Sequence, residues 1–214
     1  LFSLWISSVR MDIYSSIGAG CLCLACVALQ NVPIKFSYIA ISSLFLYATH
    51  VLNRLISRKP LGLVGSFREE TYLRHEKLFF FTALAAIAAS LVLAFHHSLI
   101  VFSTLFAMSL AGLLYHMKIL PKSWKIQSLR DLPGSKNILM SIAWGMTVAV
   151  LPAIDEKYFP DAGLLVSFLF AFGIVFIRSS MADILAIQSD KLIGKETIPV
   201  LFCKTTTLNV LKVI

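Results

Sequence analysis

The sequence predicts an all-α, polytopic transmembrane helix bundle. Of its 214 residues 58% are hydrophobic and 14% charged, with mean hydropathy +0.83, and its 16 phenylalanines are more than a soluble domain of this size could hide. The apolar residues fall in runs close to the roughly 20 positions needed to cross a hydrocarbon core. The net charge of +8 comes from Lys and Arg residues gathered between those runs, not from a basic stripe interleaved with exposed aromatics. They read as topology signals, and no nucleic-acid partner is expected. No segment between the runs leaves room for a soluble domain, so residues 1–214 form a single membrane-embedded domain.

The opening residues, LFSLWISSVRMD, lack the small-residue cleavage pattern of a signal peptide and read as an interfacial lead-in or helix start. Candidate spans follow at about Ile13 to Leu29, Ser37 to Ile56, Leu78 to Phe95, Ser98 to Tyr115, Asn137 to Ile154 and Ala162 to Ile184. That gives about six complete spans, and a seventh starts near Ile198, so the chain reads as a fragment. Cys21, Cys23 and Cys26 lie inside the first run and Cys203 is remote, which predicts buried packing thiols and no metal or disulfide framework. The small residues of TALAAIAAS and MSLAG let helices approach closely. Trp5, Trp124 and Trp144 read as interface or packing residues.

Connections carrying few full positive charges alternate with strongly basic ones. Gln30 to Phe36, His96-His97 and Asp155 to Asp161 hold only Lys35 and Lys157. The other set holds Arg54, Arg58, Lys59, Arg68, Arg74 and Lys77, then Lys118, Lys122, Lys125, Arg130 and Lys136, then Lys191 and Lys195. The positive-inside rule sends this second set to the cytoplasm, and His96 and His97 to the far side. Any site built from the polar connections is therefore expected on the cytoplasmic side of a multi-pass protein of the cell inner membrane.

The chemistry concentrates in Arg178 to Val200, RSSMADILAIQSDKLIGKETIPV. Asp183 and Asp190 are seven residues apart, near one face of a continuous helix and two turns from each other. Two carboxylates so placed can share a divalent cation. Gly194-Lys195 marks a helix stop followed by a cation, and Pro199 sits where a helix can begin. Spacing alone allows a metal-diphosphate site or a polar cap on a membrane helix. Elsewhere on the same side, Asn53 closes the second span as a helix cap or a ligand. Tyr115 and Lys118 stand one turn apart after the fourth, where Lys118 either snorkels or reaches a phosphate.

This pattern resembles the UbiA-type intramembrane prenyltransferases. The resemblance implies an all-helical bundle of about nine spans, whose later members lie beyond this chain. It implies acidic motifs after the second and sixth spans that hold magnesium on an isoprenyl diphosphate, and transfer of the prenyl group to an aromatic or other lipophilic acceptor. DILAIQSDKLIGKETIPVL resembles the second motif, with Asp183 and Asp190 at acidic positions and Ala186 where a central aspartate is expected. Asn53 matches the leading asparagine of the first motif, while Arg54 and Ser57 stand where aspartates are usual. Tyr115 and Lys118 resemble the tyrosine and lysine after the family's fourth span.

The expected metal ligands are thus Asn53, Asp183 and Asp190, joined by Glu69 or Glu70, a set suited to one magnesium ion more than two. Asp183 and Asp190 are the expected catalytic pair. Asn53, Arg54, Lys118, Arg178 and Lys195 are expected to hold the diphosphate, with Arg58 as a further cation. A groove for the prenyl chain would be lined by residues such as Phe79, Phe80, Phe81, Leu110, Phe168 and Phe170, each of which core packing also explains. The alternative is a non-catalytic membrane protein binding isoprenoid lipids or partners on the same scaffold. A transporter would want charges or broken helices at mid-span, and only Arg178, near an end, approaches that.

Overall fold

The computed structural model describes residues 2–56, 74–116, 134–156, 161–192 and 197–212. Among them every regular element is helical: α1 (Phe2–Leu29), α2 (Phe36–Ile56), α3 (Glu76–His97), α4 (Leu99–His116), α5 (Ser135–Gly145), a π-helical segment (Met146–Val150), α6 (Leu151–Asp155), α7 (Ala162–Leu185), α8 (Ile187–Leu192), α9 (Ile198–Phe202) and α10 (Lys204–Leu211). Among the described residues five stretches are long and apolar enough to cross a membrane: Asp12–Leu29, Phe36–Ile56, Glu76–His97, Ser135–Asp155 and Ala162–Leu185. The apolar part of α4, Leu99–Tyr115, is shorter. At 1.5 Å per residue it reaches about 25 Å, against a hydrocarbon core of about 30 Å. The apolar start near Ile198 forms the short helices α9 and α10, joined at Cys203 with φ +66°.

Local chemistry sets the helix ends. At the end of α1 the amide of Val32 donates to Val27 O at 3.1 Å and that of Asn31 to Ala28 O at 3.2 Å. This is a Schellman closure, and Asn31 takes the left-handed φ of +54° that it requires. Ser98 both ends α3, through its amide on Ala94 O, and opens α4, where its Oγ accepts from Val101 N at 3.2 Å. Asp161 opens α7 by accepting from Ala162 N. Gly134, at φ +74°, turns the chain into α5.

Pro152 explains the π-helical segment. It has no N–H to give to Val148 O one turn back, and its ring would strike that carbonyl in a regular α-helix. The backbone widens instead, with Leu151 N bonding Met146 O. Side chains from neighbouring helices take up displaced carbonyls: Gln30 Nε2 donates to Ala149 O at 3.1 Å and Ser42 Oγ to Thr147 O at 3.5 Å. Such repair by neighbours is what permits proline within a membrane helix.

α1 packs between α2 and α7 and also touches the π segment; α2 packs on α3, α3 on α4, α4 on α6, and α5 on α7. The core joins Ala19, Cys23 and Cys26 to Phe45, Leu46, Leu105, Trp144, Val148 and Val175. At Gly145 an added Cβ would lie 2.7 Å from Phe168, so the missing side chain sets how closely α5 and α7 approach. Cys23 and Cys26 are the packing thiols expected, whereas Cys21, on an outward face of α1, and Cys203, at the junction of α9 and α10, are exposed. Outward faces elsewhere carry large apolar residues such as Phe81, Val92, Leu113 and Leu169, which suits a surface solvated by lipid.

Cross-helix contacts show that the long helices alternate in direction: Arg54 at the end of α2 meets Asp12 of α1 and Arg178 of α7 meets Ser15 at one end of the bundle, while His97 at the end of α3 meets Ser37 and Asp155, and Gln30 meets Ser167, at the other. Five membrane-length helices traversed in this way give a multi-pass architecture.

Candidate functional site

At the first end, four helices contribute to a connected set of polar side chains. Arg54 of α2 donates through Nη2 to Asp12 Oδ1 of α1 at 2.9 Å. Ser15, one turn along α1, accepts from Arg178 Nη2 of α7 at 2.5 Å. The Arg178 guanidinium lies 5.7 Å from the ring centroid of Trp144 on α5, and Trp144 meets His50 edge-to-face, again at 5.7 Å. His50 is one turn before Arg54, which closes the circuit on α2.

Asp183 lies one to two turns further toward the helix ends. It is 6% exposed, and its Oδ2 accepts from Asn137 Nδ2 at 2.7 Å. The ammonium of Lys136 stands 3.8 Å from Oδ1, a long ion pair between α5 and α7. Asn137 is itself 1% exposed, and among the described residues its Oδ1 has no hydrogen-bond partner. An amide oxygen beside a carboxylate is a hard-oxygen pair of the kind magnesium prefers.

The expected site residues fall into distinct groups. Asp183 and Arg178 share the inner part of α7, and Arg54 stands across α1 from them, already committed to Asp12. Asn53 is half-buried at the end of α2. Asp190 is 2% exposed on α8, and its amide donates to Ala186 O at 2.9 Å. Asp183 and Asp190 were expected on one continuous helix; instead α7 stops at Leu185 and α8 restarts at Ile187, with Ala186 at φ −92°, ψ 2° between them. Tyr115 OH comes within 3.5 Å of Ser135 Oγ, tying α4 to α5. Ser57, Arg58, Glu69, Glu70, Lys118 and Lys195 lie outside the described residues.

Among the described residues no three His, Cys, Asp or Glu side chains gather closely enough to hold a metal ion unaided. With Asp183 and the Asn137 amide oxygen as the oxygen donors here, a metal ion would need the rest of its ligands from outside the described residues. Among the same residues Arg178 meets a hydroxyl and an aromatic face, not a carboxylate. Its charge is therefore available to an anion. Of the expected groove residues, Phe79 is buried against α2 and Phe168 packs on the core, while Phe80, Phe81, Leu110 and Phe170 are exposed on three different helices.

Sequence reasoning did not single out Asp12, Ser15, Lys136 or Asn137 as site residues, and read Trp144 only as interface or packing. An aspartate opening an apolar run was the available signal for Asp12, since such a charge needs a partner from another helix.

The opposite end carries a second cluster. Asp155 Oδ2 accepts from Tyr38 OH at 2.5 Å, from His97 Nδ1 at 2.8 Å and from Lys35 Nζ at 3.4 Å. Glu156 accepts from Tyr38 OH at 3.0 Å and pairs with Lys35. Hydrogen bonding to Lys35, and then to Tyr38, holds the Glu156 carboxyl below the usual range, and bonding to Glu156 raises Lys35. A depressed carboxyl contributes stability that is present above its unfolded value, about 4.3, and is lost as pH falls through the folded one. Lys35 contributes below about pH 10.4 and loses its share above it. The melting temperature is therefore expected to fall between pH 5 and pH 3, with a shallower fall in Glu156→Gln; equal slopes would remove Glu156 from the account.

No protein-family model, curated protein or solved structure matches the chain.

Proposed function

We propose that the protein is a membrane-embedded prenyltransferase of the UbiA type, transferring a prenyl group from an isoprenyl diphosphate to a lipophilic acceptor such as an aromatic or quinone precursor. The supporting observation is that α7 carries a buried carboxylate, Asp183, and a cation lacking a carboxylate partner among the described residues, Arg178, at one end of an apolar bundle. Expelling diphosphate requires charge to be neutralised as it builds on the bridging oxygen. Magnesium held by Asp183 and Asn137, with Asp190 and Asn53 drawn in, would supply that neutralisation. Arg178 would hold phosphate oxygens, as would Lys118 and Lys195, and Arg54 could do so only in competition with Asp12. The positive-inside pattern supports a cytoplasmic position for this end, and we propose the inner membrane as its location.

A second reading, a non-catalytic isoprenoid-binding protein on the same scaffold, is favoured by the engagement of Arg54 with Asp12, which holds that cation away from a phosphate. The two share a first test. Prenyl diphosphate with magnesium is expected to stabilise the purified protein thermally more than either alone, by about 2.7 kcal/mol at a hundredfold excess over Kd. Asp190→Asn is expected to remove most of that synergy. An equal response in the presence of chelator would reject the metal role, leaving direct binding by Arg178.

A further inference from the structure

We propose that Ser37, His97 and Asp155 form a nucleophilic triad, at the end of the bundle opposite Asp183, that cleaves carboxylic esters of lipid-like molecules. Ser37 Oγ lies 2.6 Å from His97 Nε2, and His97 Nδ1 lies 2.8 Å from Asp155 Oδ2. A carboxylate only accepts, so neutral His97 carries its proton on Nδ1 and offers the Nε2 lone pair to the serine hydroxyl. That is the arrangement in which an imidazole acts as general base toward serine, and it is recognised by geometry and role, not by chain order.

The surroundings fix the geometry. The Tyr38 ring stacks on His97 with centroids 4.9 Å apart and holds the imidazole plane, while the Tyr38 hydroxyl and the Lys35 ammonium donate to the same Asp155 oxygen, Oδ2, that meets the imidazole. The side chains of His97 and Asp155 are 13% and 7% exposed. Ser37 is half-buried, so its hydroxyl remains within reach. It is also the second residue of α2, where the N–H groups of Phe36 and Ser37 have no carbonyl one turn earlier in their own helix. Those donors suit a developing oxyanion. The substrate class follows from the exposed apolar residues next to the triad in the chain: Ile34 and Phe36 beside Ser37, and Leu99 and Ile100 just after His97, are all strongly exposed.

In the reaction Ser37 Oγ bonds to the ester carbonyl carbon as its proton passes to His97 Nε2, and the carbonyl π pair moves onto oxygen. Collapse of that intermediate breaks the bond to the alkoxy oxygen, which leaves as the alcohol with the proton from His97. Water then repeats the sequence on the acyl-serine, releasing the acid and restoring Ser37. Asp155 keeps the imidazole oriented throughout as a positioning residue.

The test uses the full chain in lipid nanodiscs, treated with a long-chain alkyl fluorophosphonate, which transfers its phosphonyl group to an activated serine with loss of fluoride. Peptide mass spectrometry is expected to place the adduct on Ser37. His97→Ala is expected to slow labelling by roughly a hundredfold or more, and added imidazole to restore part of the rate, which a merely structural histidine would not allow. Asp155→Asn is expected to slow labelling while imidazole rescue of His97→Ala persists only with Asp155 intact. Wild-type protein that melts cooperatively yet carries no adduct on Ser37, or labelling of His97→Ala at the wild-type rate, would overturn the proposal and leave the cluster as a clasp between α2, α3 and α6.

Discussion

Replacing Arg54 by alanine is expected to lower the stability of the folded bundle by about 3 kcal/mol. Whether that figure or the 0 to 1 kcal/mol typical of surface pairs applies depends on burial. The Asp12 side chain is 4% exposed and that of Arg54 28%. The carboxylate that remains after substitution is therefore largely out of water, and its desolvation is no longer offset by the guanidinium 2.9 Å away. The cost falls toward the lower part of the range for buried pairs because the Arg54 side chain is itself 28% exposed, so the pair is only partly desolvated.

A double-variant cycle isolates the pair. Asp12→Asn with Arg54→Ala is expected to recover more than half of the loss, since the buried charge is gone. Arg54→Lys should fall between, keeping the charge but losing the planar fork. Reversible unfolding in mild detergent reads each value, and a cost below about 1 kcal/mol for Arg54→Ala would place the pair with ordinary surface ion pairs. The same variants bear on function. If Arg54 must leave Asp12 to meet a phosphate, Asp12→Asn should tighten binding of the diphosphate donor.

The helices were legible because length and apolarity are local: each of the long runs became helical, although α1 begins at Phe2, well before Ile13, and the run from Asn137 to Ile154 is interrupted by the π-helical segment. Connections that share an end followed from alternation. The partners of the charged residues were not legible, since they lie across the bundle. Arg54 finds Asp12 42 positions away, Asp183 finds Asn137 at 46, and Arg178 finds Ser15 at 163. No periodicity within one helix reports such pairs. Asp183 and Asp190 show the converse failure. A spacing of seven places two residues on one face only while the helix is unbroken, and the change of backbone at Ala186 removes that premise. His97 was assigned to the far side from loop charge. What made it more than a lone histidine was the arrival of Asp155 and Ser37 from other helices. Pro152 inside a span was visible in the sequence, but the widening of the helix around it depends on donors from Gln30 and Ser42 that only packing supplies.

On the proposed reaction, Asp183→Asn is expected to cut magnesium-dependent release of diphosphate from a prenyl donor, in the presence of a suitable acceptor, by roughly a hundredfold or more. The substitution keeps the size of the side chain and removes its charge, so a loss of this size reports charge handling and not a collapsed site. Asn137 supplies the control. Its Nδ2 lies 2.7 Å from Asp183 Oδ2, so Asn137→Asp alone would set two carboxylates in contact and cost about 2 kcal/mol of stability. Combining the two substitutions rebuilds the amide-to-carboxylate bond with the roles exchanged, the charge now standing on α5 instead of α7. Stability is expected to return in this double variant. Activity is expected not to, because a metal ion and a leaving group must be met at one position and not merely within one neighbourhood. Full activity in the double variant would show that the site needs only the net charge. Wild-type turnover in Asp183→Asn would remove that carboxylate from the chemistry altogether. If wild-type protein releases no diphosphate with any acceptor in a broad panel, but Asp183→Asn still weakens magnesium-dependent donor binding, the non-catalytic reading replaces the transferase.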